Sequence, residues 1–123
     1  YLWDYSEKNR PMDTVLFEKQ LKHYFNLLIE KKIEGVCQRV CDYFGIKDVE
    51  RIYTPSKTNA MEKLATARSY ALYILHRDEK VTINRLSAQF RRPPRTIYWH
   101  VRKMEDMLKW YEKERKIYQE ICG

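Results

Sequence analysis

Hydrophobic positions along this chain recur almost everywhere at helical intervals. The clearest stretch runs from Val81 to Lys103, VTINRLSAQFRRPPRTIYWHVRK. Ile83, Leu86 and Phe90 are spaced three and four apart, which predicts a short helix with one buried face. Thr82 is placed to cap it, because its hydroxyl can accept from an otherwise orphan backbone N–H. Arg91-Arg92-Pro93-Pro94 breaks the helix, since a residue before proline is pushed out of the α region, and Pro94 suits the first turn of the next helix. Ile97, Val101, Met104 and Leu108 then follow at intervals of four, three and four, a second helix with a single buried stripe. Two short helices joined by a tight turn, the second opening in arginines, is the sequence form of a helix-turn-helix DNA reader.

The rest of the chain is also helical in pattern. Residues 1–12 show no clear period and read as an irregular arm with aromatic anchors. Asp13 is a suitable N-cap for a helix from Thr14 to about Ile33, whose apolar residues Leu16, Phe17, Leu21, Tyr24, Phe25, Leu28 and Ile29 cover a broad face. Glu34-Gly35 ends it. A second helix, Val36–Phe44, buries Cys37, Val40, Cys41 and Phe44 and closes at Gly45 in a left-handed cap. Asp48 to Tyr53 fits one short helical turn, and TPSKTN, residues 54–59, is turn chemistry. A long helix from about Ala60 to His76 carries Leu64, Ala67, Ala71, Leu72, Ile74 and Leu75 on its apolar side. The last helix continues to about Ile121, kept amphipathic by Trp110, Tyr111, Ile117, Tyr118 and Ile121. The expected fold is all-α: a compact multi-helix domain over residues 1–123, with a helix-turn-helix and a long C-terminal helix packed on the N-terminal helix at 13–35. Another subunit is the alternative cover for that last helix.

Charge sharpens this picture. Of the net +7, +5 falls on residues 79–105, where seven basic residues face two acidic ones. An excess confined to one motif suggests a phosphate-contacting patch, whereas charge kept for solubility would be spread. No run approaches the roughly 18 apolar residues of a membrane span, and no signal-peptide pattern is present. Cys37, Cys41 and Cys122 lack a second CxxC or a nearby His pair and read as reduced, buried thiols, which favours the cytoplasm. His23, His76 and His100 lie far apart in sequence, and no paired-carboxylate, Gly-rich or metal-ligand spacing occurs. The sequence therefore points away from an enzyme and implies no metal or cofactor.

From Val40 to about Leu108 the chain resembles the C-terminal, Trp-repressor-like DNA-binding domain of the bacterial replication initiator DnaA. Val40-Cys41-Asp42-Tyr43-Phe44-Gly45-Ile46 is similar to the family's opening V-A-x-Y-F-x-I, and Arg68-Ser69-Tyr70-Ala71-Leu72-Tyr73 to its R-Q-I-A-M-Y. Ser56-Lys57 resembles the start of its basic loop, with Thr58 and Asn59 in place of the expected arginines. Arg102-Lys103-Met104-Glu105 is similar to the R-K-I-E of the recognition helix. The family signature G-G-R-D-H-T-T-V corresponds to Arg91-Arg92-Pro93-Pro94-Arg95-Thr96-Ile97, which is one residue shorter, so only Arg92 and Thr96 carry over. The resemblance implies the fold and a role in replication or transcription control; an arginine near the place of Arg68 would enter the minor groove. It does not imply the family's target sequence. There is no G-x-x-x-x-G-K and hence no P-loop, which fits a stand-alone relative of the reader domain, from a phage or mobile element.

At ~100° per residue, the stripe from Ile97 to Leu108 sends Arg95, Trp99, Arg102 and Asp106 to the opposite side, with Thr96 and Lys103 flanking. Residues that open the second helix of a helix-turn-helix face base edges. Arg95 is thus the first candidate for a bidentate contact to guanine, worth ~1–3 kcal/mol of discrimination. Thr96 suits a phosphate or a thymine methyl. Arg91 and Arg92 suit phosphates, with Lys57, Arg68, Arg102 and Lys103 as further backbone contacts. Trp99 fits a sugar or thymine methyl, or cover by the N-terminal arm or a partner subunit. Double-stranded DNA is the expected partner. A dimeric Trp-repressor-like regulator and a phage interaction or packaging module are the other readings.

Overall fold

The computed structural model describes the backbone of residues 2–54 and 62–123, and the side chains of residues 14–54 and 63–123. Its elements are α1 (Leu2–Phe44), a 3-10 turn (Val49–Tyr53), α2 (Glu62–Tyr73) running into a π-helical turn (Ile74–Asp78), α3 (Ile83–Phe90), α4 (Pro94–Trp110) and α5 (Glu112–Cys122). No strand occurs among the described residues, so the fold is all-α as the periodicity predicts. The chain divides into two units, Tyr1–Lys31 and Lys32–Gly123.

Two expected boundaries are absent: residues 2–12 are helical, not an irregular arm, and α1 runs without a break through Asp13 and Gly35. Gly35 does not interrupt it because Ile33, Val36, Cys37, Val40 and Cys41 line one helical face and are all buried, so packing outweighs the ~1 kcal/mol that glycine costs in a helix. The helix stops at Gly45, where φ is +72° and the Ile46 N–H donates to the Cys41 carbonyl at 2.8 Å. That is the predicted left-handed cap. Asp48 then caps the 3-10 turn by accepting from the Glu50 N–H at 3.2 Å.

The core of the second unit forms around α2. Leu64, Ala67, Ala71, Leu72, Ile74 and Leu75 are buried as expected, joined by Tyr70. The alanines let α2 approach α4 closely, and α3 packs on α4 to complete the helix-turn-helix. Tyr53 from the 3-10 turn meets Phe90 of α3 with ring centroids 5.0 Å apart.

The C-terminal helix departs from expectation. It breaks at Tyr111, whose φ and ψ of −119° and 114° are extended, and the Arg115 guanidinium donates to the Leu108 and Lys109 carbonyls at 3.2 and 2.9 Å. This cation satisfies the orphan carbonyls at the end of α4. Trp110 and Tyr111 are exposed rather than part of an apolar face. Ile121 is buried, and α5 is held through Tyr118 against Tyr73, with Tyr118 also donating to Asp78. Tyr70 of α2 donates to the Glu114 carboxylate, and Tyr43 donates to Glu120. The contacts of α5 are thus with α4, α2, the π turn and the end of α1 at Tyr43. Cys37 and Cys41 are free and buried, but Cys122 is exposed. Burial pushes the Cys37 thiol up to about 12, so it stays protonated and unreactive at neutral pH.

Candidate nucleic-acid interface

The turn between α3 and α4 is built by the residues that flank it. The Thr82 hydroxyl accepts from the Arg85 N–H at 3.2 Å, which starts α3. Leu86 and Phe90 are fully buried, while Ile83 is half-buried. At the other end Arg91 adopts φ 53° and ψ 45°, a left-handed conformation. The N–H groups of Arg91 and Arg92 both donate to the Ser87 carbonyl, and the Ser87 hydroxyl donates to the Arg92 carbonyl. The three bonds close the helix and reverse the chain within a few residues, leaving Pro93 and Pro94 to launch α4.

Ile97, Val101, Met104 and Leu108 form the buried stripe of α4. Arg95, Trp99, Arg102 and Asp106 are all exposed on the opposite side, Thr96 is half-buried, and Lys103 is exposed with its ammonium 4.9 Å from the Trp99 ring centroid. Trp99 is 55% exposed, with Lys103 and His100 against its ring. Arg91 is exposed beside the turn. Among the described residues Arg91, Arg92, Arg95 and Arg102 have no carboxylate partner, and the first turn of α4 carries no acid. The positive end of the α4 dipole adds to their field. Glu105 pairs with Arg77 at 2.5 Å, and Glu112 with Lys116 at 3.9 Å.

Arg68 is placed differently from the other candidates. It is only 3% exposed. Its Nε donates to the Ile52 carbonyl and a terminal nitrogen to the Thr54 carbonyl, each at 2.7 Å. Desolvation, with Arg92 nearby, lowers its pKa to about 10, still charged at neutral pH. Arg68 is therefore a bolt between α2 and the 3-10 turn, withdrawn from the surface. Sequence reasoning could not see this, because the carbonyls it meets lie fourteen and sixteen residues away. Lys57, together with the expected loop at 55–59, lies outside the described residues.

His100 completes a cationic cluster behind the exposed face. The Ser69 hydroxyl gives its one proton to the Ala65 carbonyl at 3.1 Å, so the imidazole Nδ1–H donates to the Ser69 oxygen at 3.2 Å. Burial, and the charges of Arg92, Arg68 and Lys103, lower the His100 pKa to about 4. The ring is neutral at physiological pH. The Arg92 Nε is buried without a hydrogen-bond partner. Arg68, Arg92 and Lys103 thus converge on one neutral imidazole with no anion among them, an arrangement that an external phosphate would relieve.

No group of His, Cys, Asp and Glu among the described residues is arranged to hold a metal ion. No helix among them is long and apolar enough to cross a membrane. No family model matches the chain, and no curated protein matches it either.

Proposed function

We propose that the chain binds double-stranded DNA without catalysis, through α3, the turn and the exposed face of α4. The observation that carries this reading is the set of Arg91, Arg92, Arg95, Arg102 and Lys103 gathered around one turn with no carboxylate partner among the described residues. A solvated structural face draws acids to its bases; this one leaves its charge unneutralised, as a phosphate-binding face does. In this reading Arg95 faces guanine, Thr96 a phosphate or thymine methyl, and Trp99 a sugar or thymine methyl, while the other four cations hold phosphates. About four such contacts give a salt slope near −3.6, from ~0.9 per phosphate. The DnaA-like reader domain supplies the proposed role, replication or transcription control in a bacterial cytoplasm.

The test is fluorescence anisotropy with duplexes selected from a random library. Arg91→Ala, Arg92→Ala and Arg95→Ala combined should remove most of the affinity and leave the helical circular-dichroism signal intact. Equal binding by the native chain and the triple variant overturns the assignment.

A further inference from the structure

The first unit leaves a stripe of large apolar residues uncovered. Phe17, Leu21, Tyr24 and Leu28 follow at intervals of four, three and four, the spacing of a coiled-coil seam, and are 61%, 38%, 58% and 38% exposed. Phe25 and Leu27 widen the stripe and are exposed as well. Glu18, Lys19, Lys22, His23 and Asn26 lie to one side of it, so the helix has a polar face and an apolar one. A contiguous apolar surface of this kind marks an interaction site.

We propose that residues 14–31 pair antiparallel with the same residues of a second copy of this chain. Size and charge both select that partner and that direction. Antiparallel pairing about the point between Lys22 and His23 sets Leu21 against Tyr24 and Phe17 against Leu28, so every layer holds one aromatic ring and one leucine and the spacing between helices stays even. Parallel pairing would stack ring on ring and leucine on leucine in alternate layers. The next seam position is Lys31, which parallel pairing would place against another Lys31. Antiparallel pairing sets Lys31 against Thr14 and brings it to the end of the partner helix that carries Glu18, replacing a repulsion with an attraction.

The pairing stands without the DNA reading and is tested in the absence of DNA. Sedimentation equilibrium of the full chain should give twice the 15.1 kDa monomer mass, and Leu21→Glu with Leu28→Glu should return it to the monomer with its thermal unfolding by circular dichroism retained. With Cys122→Ser, the only exposed free thiol among the described residues is gone. Oxidation should then link Leu21→Cys/Tyr24→Cys chains into covalent dimers and leave Leu21→Cys chains unlinked. A native chain that stays monomeric at every concentration overturns the proposal and assigns the stripe to a different partner. A dimer that survives both glutamates overturns the surface, and efficient linking of Leu21→Cys alone overturns the direction.

Discussion

Two stretches of this chain carry the same periodic signal and meet different fates. Ile97, Val101, Met104 and Leu108 in α4 follow at four, three and four, and so do Phe17, Leu21, Tyr24 and Leu28 in α1. The first stripe is at most 8% exposed and the second at least 38%. In α4 the stripe is met by α2 and α3, and burial of each side chain contributes roughly 1.5–3 kcal/mol. In α1 that free energy is still unclaimed. Periodicity states which face of a helix must be covered; it does not state by what. The polar sides differ as well: residues 79–105 carry seven bases against two acids, whereas residues 1–35 balance six bases with six acids. In the readings proposed above, one stretch brings a polyanion to a finished fold and the other finishes a fold by association.

The largest effect that separates the two is a matched truncation. Ile97→Ala should cost about 2–5 kcal/mol in urea unfolding, because it opens a cavity in a closed core. Leu21→Ala, at a dilution where copies are apart, should stay within ~0.5 kcal/mol of the native chain. Equal losses in both variants would mean that the α1 stripe is covered within the chain and would remove the contrast.

The α3–turn–α4 segment was legible because its signals are local. Thr82, Leu86, Phe90, Pro94 and the α4 stripe act within a turn or two of themselves, and each falls where the sequence places it. Gly45 was legible for the same reason. The misread positions depend on distant groups. Gly35 looked like a stop, yet the buried residues on either side of it hold the helix straight through. The break at Tyr111 is set by Arg115 reaching back to two carbonyls. Arg68 looked like one more surface cation, and only the fold brings the Ile52 and Thr54 carbonyls to it. Exposure on α4 followed from helical geometry alone, so Arg95, Trp99 and Arg102 were found; the cluster of Arg92 and Arg68 around His100 required the tertiary structure.

That cluster gives the α4 region a pH dependence of its own. The folded pKa of His100, about 4, lies below the ordinary value near 6.5. The unfolded chain therefore binds more protons between these values, and stability rises with pH across that window. Its contribution is complete above about pH 6.5 and is lost as pH falls toward 4, on the order of 2 kcal/mol after solvent screening. In His100→Asn the amide can still donate to Ser69, but nothing titrates, so the native chain should lose more stability than the variant between pH 6.5 and 4 in paired urea titrations. Parallel curves would mean that the imidazole is not held neutral by its surroundings.

The smallest effect probes the turn itself and separates its fold from its charge. Arg91 sits at φ 53° and ψ 45°, a conformation that costs a residue with a Cβ roughly 1–2 kcal/mol and glycine almost nothing. Glycine also loses more freedom on folding, so Arg91→Gly should stabilise the chain by a net of ~1 kcal/mol in urea unfolding. In the proposed interface the same change deletes one of about four phosphate contacts, and the slope of log K against log salt should shrink by ~0.9. Stability and DNA affinity should thus move in opposite directions at a single residue. A variant that is more stable and keeps the full salt slope would place Arg91 outside the interface, with its left-handed cap as its whole role; one that loses slope without gaining stability would mean that the arginine side chain itself offsets the strain of the turn.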